Sequence, residues 1–139
     1  MIIFNQNTNN TFAVTTTEKV TLTGTPYYTM VIQNVMLEDE IIFNITDTST
    51  ATTRYNLFEC ELTTFGNEDL ANHIIYVPAG SEGAWDYTIY EASAQTLSIS
   101  ACTSNVESGK LKIIASGSTT ADYNYTSTGQ TGNNTYYFN

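Results

Sequence analysis

Positive charge is what this chain has least of. Lys and Arg total four against fourteen Asp and Glu, a formal net charge of −10 over 139 residues. Nucleic acid is bound by cations that displace counterions from its phosphates, so a nucleic-acid partner is excluded on charge, and an anionic membrane surface with it. No stretch approaches the ~18 apolar residues of a membrane-spanning helix. The start, Met1-Ile2-Ile3-Phe4-Asn5, lacks the basic residues and long apolar run of a signal peptide. Charge of either sign is scarce, at 13% of residues, where about a quarter is usual. The polar surface is therefore built from Thr, Asn and Ser. The acidity that remains serves solubility.

Catalytic and metal-binding side chains are equally thin. The only histidine, His73, stands at the entry to a short apolar stretch and has no nucleophile beside it in the sequence. One His and two distant cysteines, Cys60 and Cys102, do not make a zinc set. Both cysteines are expected to be reduced and buried. No Gly-rich phosphate loop occurs. Glu59 and Glu61 alternate on one strand face, roughly 7 Å apart at the usual rise per residue, within reach of a paired-carboxylate mechanism. Alternating acids are, however, the ordinary solvent face of a half-buried strand. Glu38-Asp39-Glu40 and Asp47 offer oxygens for calcium but not in the order of an EF-hand loop. No cofactor, no metal and no enzymatic activity are expected.

What is present suits a pleated sheet. Thr, Tyr, Val, Ile and Phe dominate the patterned stretches, and helix formers seldom recur at helical spacing. Alternation places Phe12 with Val14, Val20 with Leu22, and Tyr28 with Met30 and Ile32. It likewise groups Ile41 with Phe43 and Ile45, then Phe58 with Cys60 and Leu62. Strands are further expected at Ile74–Val77, over Trp85–Glu91, at Leu97 and Ile99, and at Leu111 and Ile113 after a turn at Gly109. One helical turn is expected at Leu70–His73. About eight or nine short strands near ten residues apart, without a long helix, predict an all-β antiparallel sandwich. An immunoglobulin-like sandwich is the first choice and a jelly roll the alternative.

Trp85, Tyr87 and Ile89 share one strand face and are expected in the core as structural residues; an exposed Trp85–Tyr87–Tyr90 sugar platform is the competing reading. Arg54, the sole arginine, is expected to pair with a carboxylate such as Asp47 and hold a loop. Residues 1–10 form an N-terminal arm or edge strand, residues 11–114 the sandwich, and residues 115–139 a Ser/Thr/Gly/Asn/Tyr-rich C-terminal arm. That arm carries Tyr123, Tyr125, Tyr136, Tyr137 and Phe138. It reads either as a flexible tail or as a segment that orders on a neighbouring subunit with these aromatics as partner contacts.

Three segments carry a family likeness: Glu18-Lys19-Val20-Thr21-Leu22-Thr23 followed by Pro26-Tyr27-Tyr28; Arg54-Tyr55-Asn56-Leu57-Phe58; and Trp85-Asp86-Tyr87-Thr88-Ile89-Tyr90-Glu91 with Leu97 and then Val106-Glu107-Ser108-Gly109 after it. In this order they resemble small virion proteins of tailed bacteriophages of Bacteroidetes, including crAss-like phages. The likeness spans about residues 18–114. It implies a non-enzymatic structural protein, an auxiliary or decoration protein on the major capsid protein lattice, with self-association, a tail or neck position, or host attachment through carbohydrate as alternatives. The implied location is the outer surface of the virion, with assembly in the host bacterial cytoplasm.

Overall fold

The computed structural model describes residues 1–50 and 53–117. These form eight strands: β1 (Ile2–Asn5), β2 (Asn9–Val14), β3 (Tyr27–Asn34), β4 (Glu40–Ile45), β5 (Asn56–Thr63), β6 (Ile74–Tyr76), β7 (Gly83–Ala92) and β8 (Ser104–Ile114). Three short 3₁₀ turns, Thr17–Lys19, Leu70–Asn72 and Ile99–Ala101, punctuate the connections. The residues of C-terminal arm candidates Tyr123, Tyr125, Tyr136, Tyr137 and Phe138 lie outside the described residues.

Two sheets stack in the order β1-β8-β7-β3-β4 and β2-β5-β6. Strands β8-β7-β3-β4 over β2-β5 reproduce the G-F-C-C′ over B-E arrangement of an immunoglobulin-like sandwich. The protein is an all-β sandwich. Four strand pairs are antiparallel, as expected, whereas β1–β8 and β5–β6 are parallel. Neither parallel pair is joined by a tight hairpin. The chain between Thr63 and Ile74 travels back along the sandwich before β6 begins, and β1 and β8 are the first and last strands.

Alternation fixes which side chains meet between the sheets. Met30 and Ile32 of β3, Phe58, Cys60 and Leu62 of β5, and Trp85 and Ile89 of β7 are all essentially excluded from solvent. Ile2 and Phe4 join the same core, so the first strand is packed into the body as an edge rather than hanging from it. Phe4, Phe12, Phe58 and Tyr28 form a chain of ring contacts across the two sheets, with centroids 5.2 to 5.7 Å apart, spacings at which tilted and edge-on rings attract. Asn10 stitches the open side. Its amide accepts from the Asn5 N–H at 2.7 Å and donates to the carbonyls of Asn5, Thr8 and Cys60.

Three expected features differ. Lys19–Thr23 is not a strand: Lys19 ends the Thr17–Lys19 3₁₀ turn and the chain after it is irregular, with the Thr21 and Leu22 amides bonded to a side chain rather than to a neighbouring strand. Leu97 and Ile99 lie in a loop closed by short-range bonds: Thr96 accepts from the Ser98 N–H, and Ser98 and Ile99 carbonyls accept from Ala101 and Cys102. Ser and Thr side chains of this kind compete with ladder formation. Gly109 is not a turn but sits inside β8 opposite Tyr87.

The Tyr87 ring lies over Gly109 so closely that an added Cβ would fall 3.0 Å from the ring. Gly109→Val is therefore expected to lower the unfolding free energy by about 1–3 kcal/mol through overpacking. Urea denaturation of the variant checks this: the midpoint should drop while the slope stays unchanged.

Candidate functional site

The β2–β3, β4–β5 and β7–β8 connections gather at one end of the sandwich, as strand directions require. Two carboxylates hold them. Glu91 continues the inward stripe of Trp85, Tyr87 and Ile89 and has no solvent exposure. Its oxygens accept from the Thr21 N–H at 3.0 and 3.1 Å, the Thr21 hydroxyl at 2.6 Å, the Leu22 N–H at 3.2 Å and the Ser104 hydroxyl at 2.6 Å. Burial alone would raise its pKa, but these donors outweigh burial and hold it below the usual carboxylate value.

Asp47 works in the same way on the neighbouring loop. It accepts from the Ser49 hydroxyl and the Asn56 amide at 2.6 Å each, and from the Ser49 and Leu57 amides at 2.9 and 3.3 Å. Burial opposes ionisation here too, and the hydrogen bonds prevail, so its pKa is lowered. Asn56 passes the connection on: its Oδ1 accepts from the Thr16 and Thr17 amides and the Thr17 hydroxyl, each at 3.0 Å. Tyr28 closes the cluster, accepting from the Thr16 hydroxyl at 3.4 Å. Its phenol is pushed up, chiefly by burial and further by the Asp47 and Glu91 charges, despite the Thr16 bond. Both carboxylates thus have their oxygens engaged in holding loops.

The residues singled out from sequence scatter rather than converge. Trp85, Tyr87 and Ile89 are buried, and the Trp85 indole donates to the Ser81 carbonyl at 2.8 Å. A sugar platform built on Trp85 is ruled out by that burial. Arg54 is exposed and does not pair with Asp47, whose oxygens are held by Ser49, Asn56 and Leu57. Glu59 and Glu61 lie on the outer face of β5, where Glu59 accepts from the Asn9 amide at 3.3 Å. His73 ends a 3₁₀ turn in the left-handed region, at φ 56°, and its carbonyl accepts from the Glu61 N–H. Glu38-Asp39-Glu40 and Asp47 sit at opposite ends of β4, too far apart to share an ion. Among the described residues no cluster of three or more metal-ligating side chains occurs. Cys60 and Cys102 are free; Cys60 is buried, which pushes its thiol up, but Cys102 is only half-buried.

The opposite end carries what the sequence pattern did not flag. The β3–β4 turn presents Val35, Met36 and Leu37 at 50%, 84% and 55% exposure. Asn34, buried beneath, sets its shape: Oδ1 accepts from the Met36 and Leu37 amides at 2.8 Å, and Nδ2 donates to the Ser81 carbonyl at 3.0 Å. Glu38 turns the chain back at φ 61°. The strand β8 runs to this same end, so the described chain stops there. The signal was available in sequence as three apolar residues beside an acidic turn, but apolar residues next to a strand read as core.

Glu91 generates a test of the loop end. Glu91→Ala leaves the Thr21 and Leu22 amides and the Thr21 and Ser104 hydroxyls without their charged acceptor and is expected to cost about 2–3 kcal/mol at neutral pH. Because its folded pKa is lowered, its contribution is present above the ordinary carboxylate range and is lost as pH falls through the folded value. Thermal melts from pH 7 downward should show wild-type stability falling below about pH 4.5, and a shallower fall for Glu91→Gln. Parallel profiles for the two proteins would show that Glu91 does not carry the linkage.

Comparison of the chain with protein-family models, with curated proteins and with solved structures finds no match in any of the three.

Proposed function

We propose that this protein is a non-enzymatic structural component of a bacteriophage particle, an auxiliary or decoration protein held on the outer face of the head by the major capsid protein. The likeness of residues 18–114 to small virion proteins supports the assignment to a particle. The observation that carries the binding role is the Val35–Met36–Leu37 tip, three exposed apolar side chains on a turn whose backbone is fixed from below by Asn34. Exposed apolar side chains grouped on one element mark contact sites. A turn already held in shape loses little conformational freedom on docking.

The loop end supports the same reading from the other side. Glu91 and Asp47, the carboxylates drawn furthest from their usual behaviour, have their oxygens directed at backbone amides and hydroxyls that hold loops. Such groups brace a scaffold. The low density of charge leaves a Thr- and Asn-rich surface that is cheaper to desolvate against a protein partner than a charged one.

Quantitative mass spectrometry of purified particles tests the assignment. The protein should be recovered in stoichiometric proportion to the major capsid protein, and Met36→Asp combined with Leu37→Asp should lower its retention on particles without lowering its melting temperature. Particles that lack the protein would refute the particle role. Retention unchanged by the tip variant would refute the role of the tip.

A further inference from the structure

A second surface lies where the two sheets part along β4. Strand β4 is the last of its sheet, and the 3₁₀ turn Leu70–Asn72 of the opposite layer crosses part of its free edge. The Gln95 amide, from the β7–β8 connection, donates to the Ala71 carbonyl at 2.7 Å and pins that crossing. Below it a groove of about 440 Å³ remains open. Its walls are apolar: Ile41 and Ile42 from β4, Leu70 and Tyr76 from the smaller sheet's side, and Leu97 from the β7–β8 connection. Its remaining lining residues are Glu40 and Glu68, both exposed.

The register of β4 adds a directional feature. The Asn34 N–H bonds to the Asp39 carbonyl at 2.8 Å, which marks that facing pair as hydrogen-bonded. In an antiparallel ladder such pairs alternate, so Ile41 faces Ile32 as a bonded pair and Ile42 turns its N–H and C=O away from β3. Neither Ile42 group has a partner among the described residues. The groove thus offers a free backbone donor and acceptor, apolar walls and two carboxylates.

We infer that this groove binds an extended segment of a partner protein that carries Lys or Arg flanked by apolar residues, adding alongside β4 at Ile42. An edge strand with alternating side-chain pockets is the usual receptor for such a segment. Charge selects the occupant: Glu40 and Glu68 sit in a molecule of net charge −10 and favour a cation over the groove. A second copy of this chain is a poor match. It carries the same negative charge, and two of its four cations, Lys19 and Lys110, are already paired with Glu107 and Asp86. Residues 118–139 contain no Lys or Arg and do not supply the charge either. The inference does not depend on the tip or on the particle that carries the protein.

The test uses a capped peptide of alternating Val and Lys, its Val–Glu counterpart, and backbone amide resonances of the full chain. The Val–Lys peptide should shift Ile42, Leu70 and Leu97 and slow amide exchange at Ile42, while the Val–Glu peptide leaves them unmoved. Reversing the rim with Glu40→Lys and Glu68→Lys should weaken binding by about tenfold or more. The same charge change on the outer face of β5, Glu59→Lys with Glu61→Lys, should weaken it far less. Ile42→Pro removes the free N–H while leaving the β3 ladder intact, a substitution that edge positions accept, and should also weaken binding. Equal loss in both charge-reversed variants would reduce the effect to general attraction and overturn the inference. So would shifts centred elsewhere, or self-association of the peptide-free chain that protects Ile42.

Discussion

Thr21 and Leu22 have no strand to pair with, and their amides are satisfied because the fully buried Glu91 reaches across to them. A backbone donor shielded from water and left without a partner costs about as much as a lost hydrogen bond, and the loop end of this sandwich contains several buried or part-buried donors that side chains satisfy. The solution recurs throughout the molecule. Asp47 and Asn56 satisfy amides of Ser49, Leu57, Thr16 and Thr17, Asn34 satisfies those of Met36 and Leu37, and Asn10 ties Asn5 to the carbonyl of Cys60. The polar, charge-poor composition acquires a structural meaning from this. Short amides and carboxylates at strand ends finish the hydrogen bonding that the ladders leave incomplete.

That device also explains where alternation was a reliable guide and where it was not. Trp85, Tyr87 and Ile89, or Phe58, Cys60 and Leu62, sit in strands with neighbours on both sides, so the period-2 pattern records burial directly. Val20 and Leu22 show the same spacing, but their segment bonds to Glu91 rather than to a strand, and spacing alone does not distinguish the two. Glu91 was itself legible in part: it occupies the next inward position after Ile89, and a carboxylate on a core face announces a cluster of donors facing it. The strand order was not legible, because it depends on β1 docking parallel to β8, a pairing between the two ends of the described chain.

The surfaces were harder to read than the core for a related reason. Burial is imprinted on sequence by periodicity, whereas exposure of an apolar residue leaves no imprint. Val35, Met36 and Leu37 extend the apolar pattern of β3, and only the turn fixed by Asn34 carries them outward. The groove beside β4 is more remote still, since Ile42, Leu70 and Leu97 come from three separate segments that the fold brings together. Arg54, which stands out by its rarity, takes no part in either surface.

The two ends of the sandwich consequently divide the work. At the loop end, polar side chains turn inward and their hydrogen-bonding capacity is used up within the molecule. At the other end Asn34 uses the same chemistry to opposite effect, consuming the Met36 and Leu37 amides while the side chains of Val35, Met36 and Leu37 face outward beside the acidic Glu38 and Asp39. A turn whose amides are already satisfied exposes fewer groups that need water, so covering it with a partner incurs less desolvation. Its fixed shape also reduces the ordering that docking requires. On the proposed reading, binding capacity comes from completing the internal hydrogen bonding first, and the contact surface is what remains once that is done.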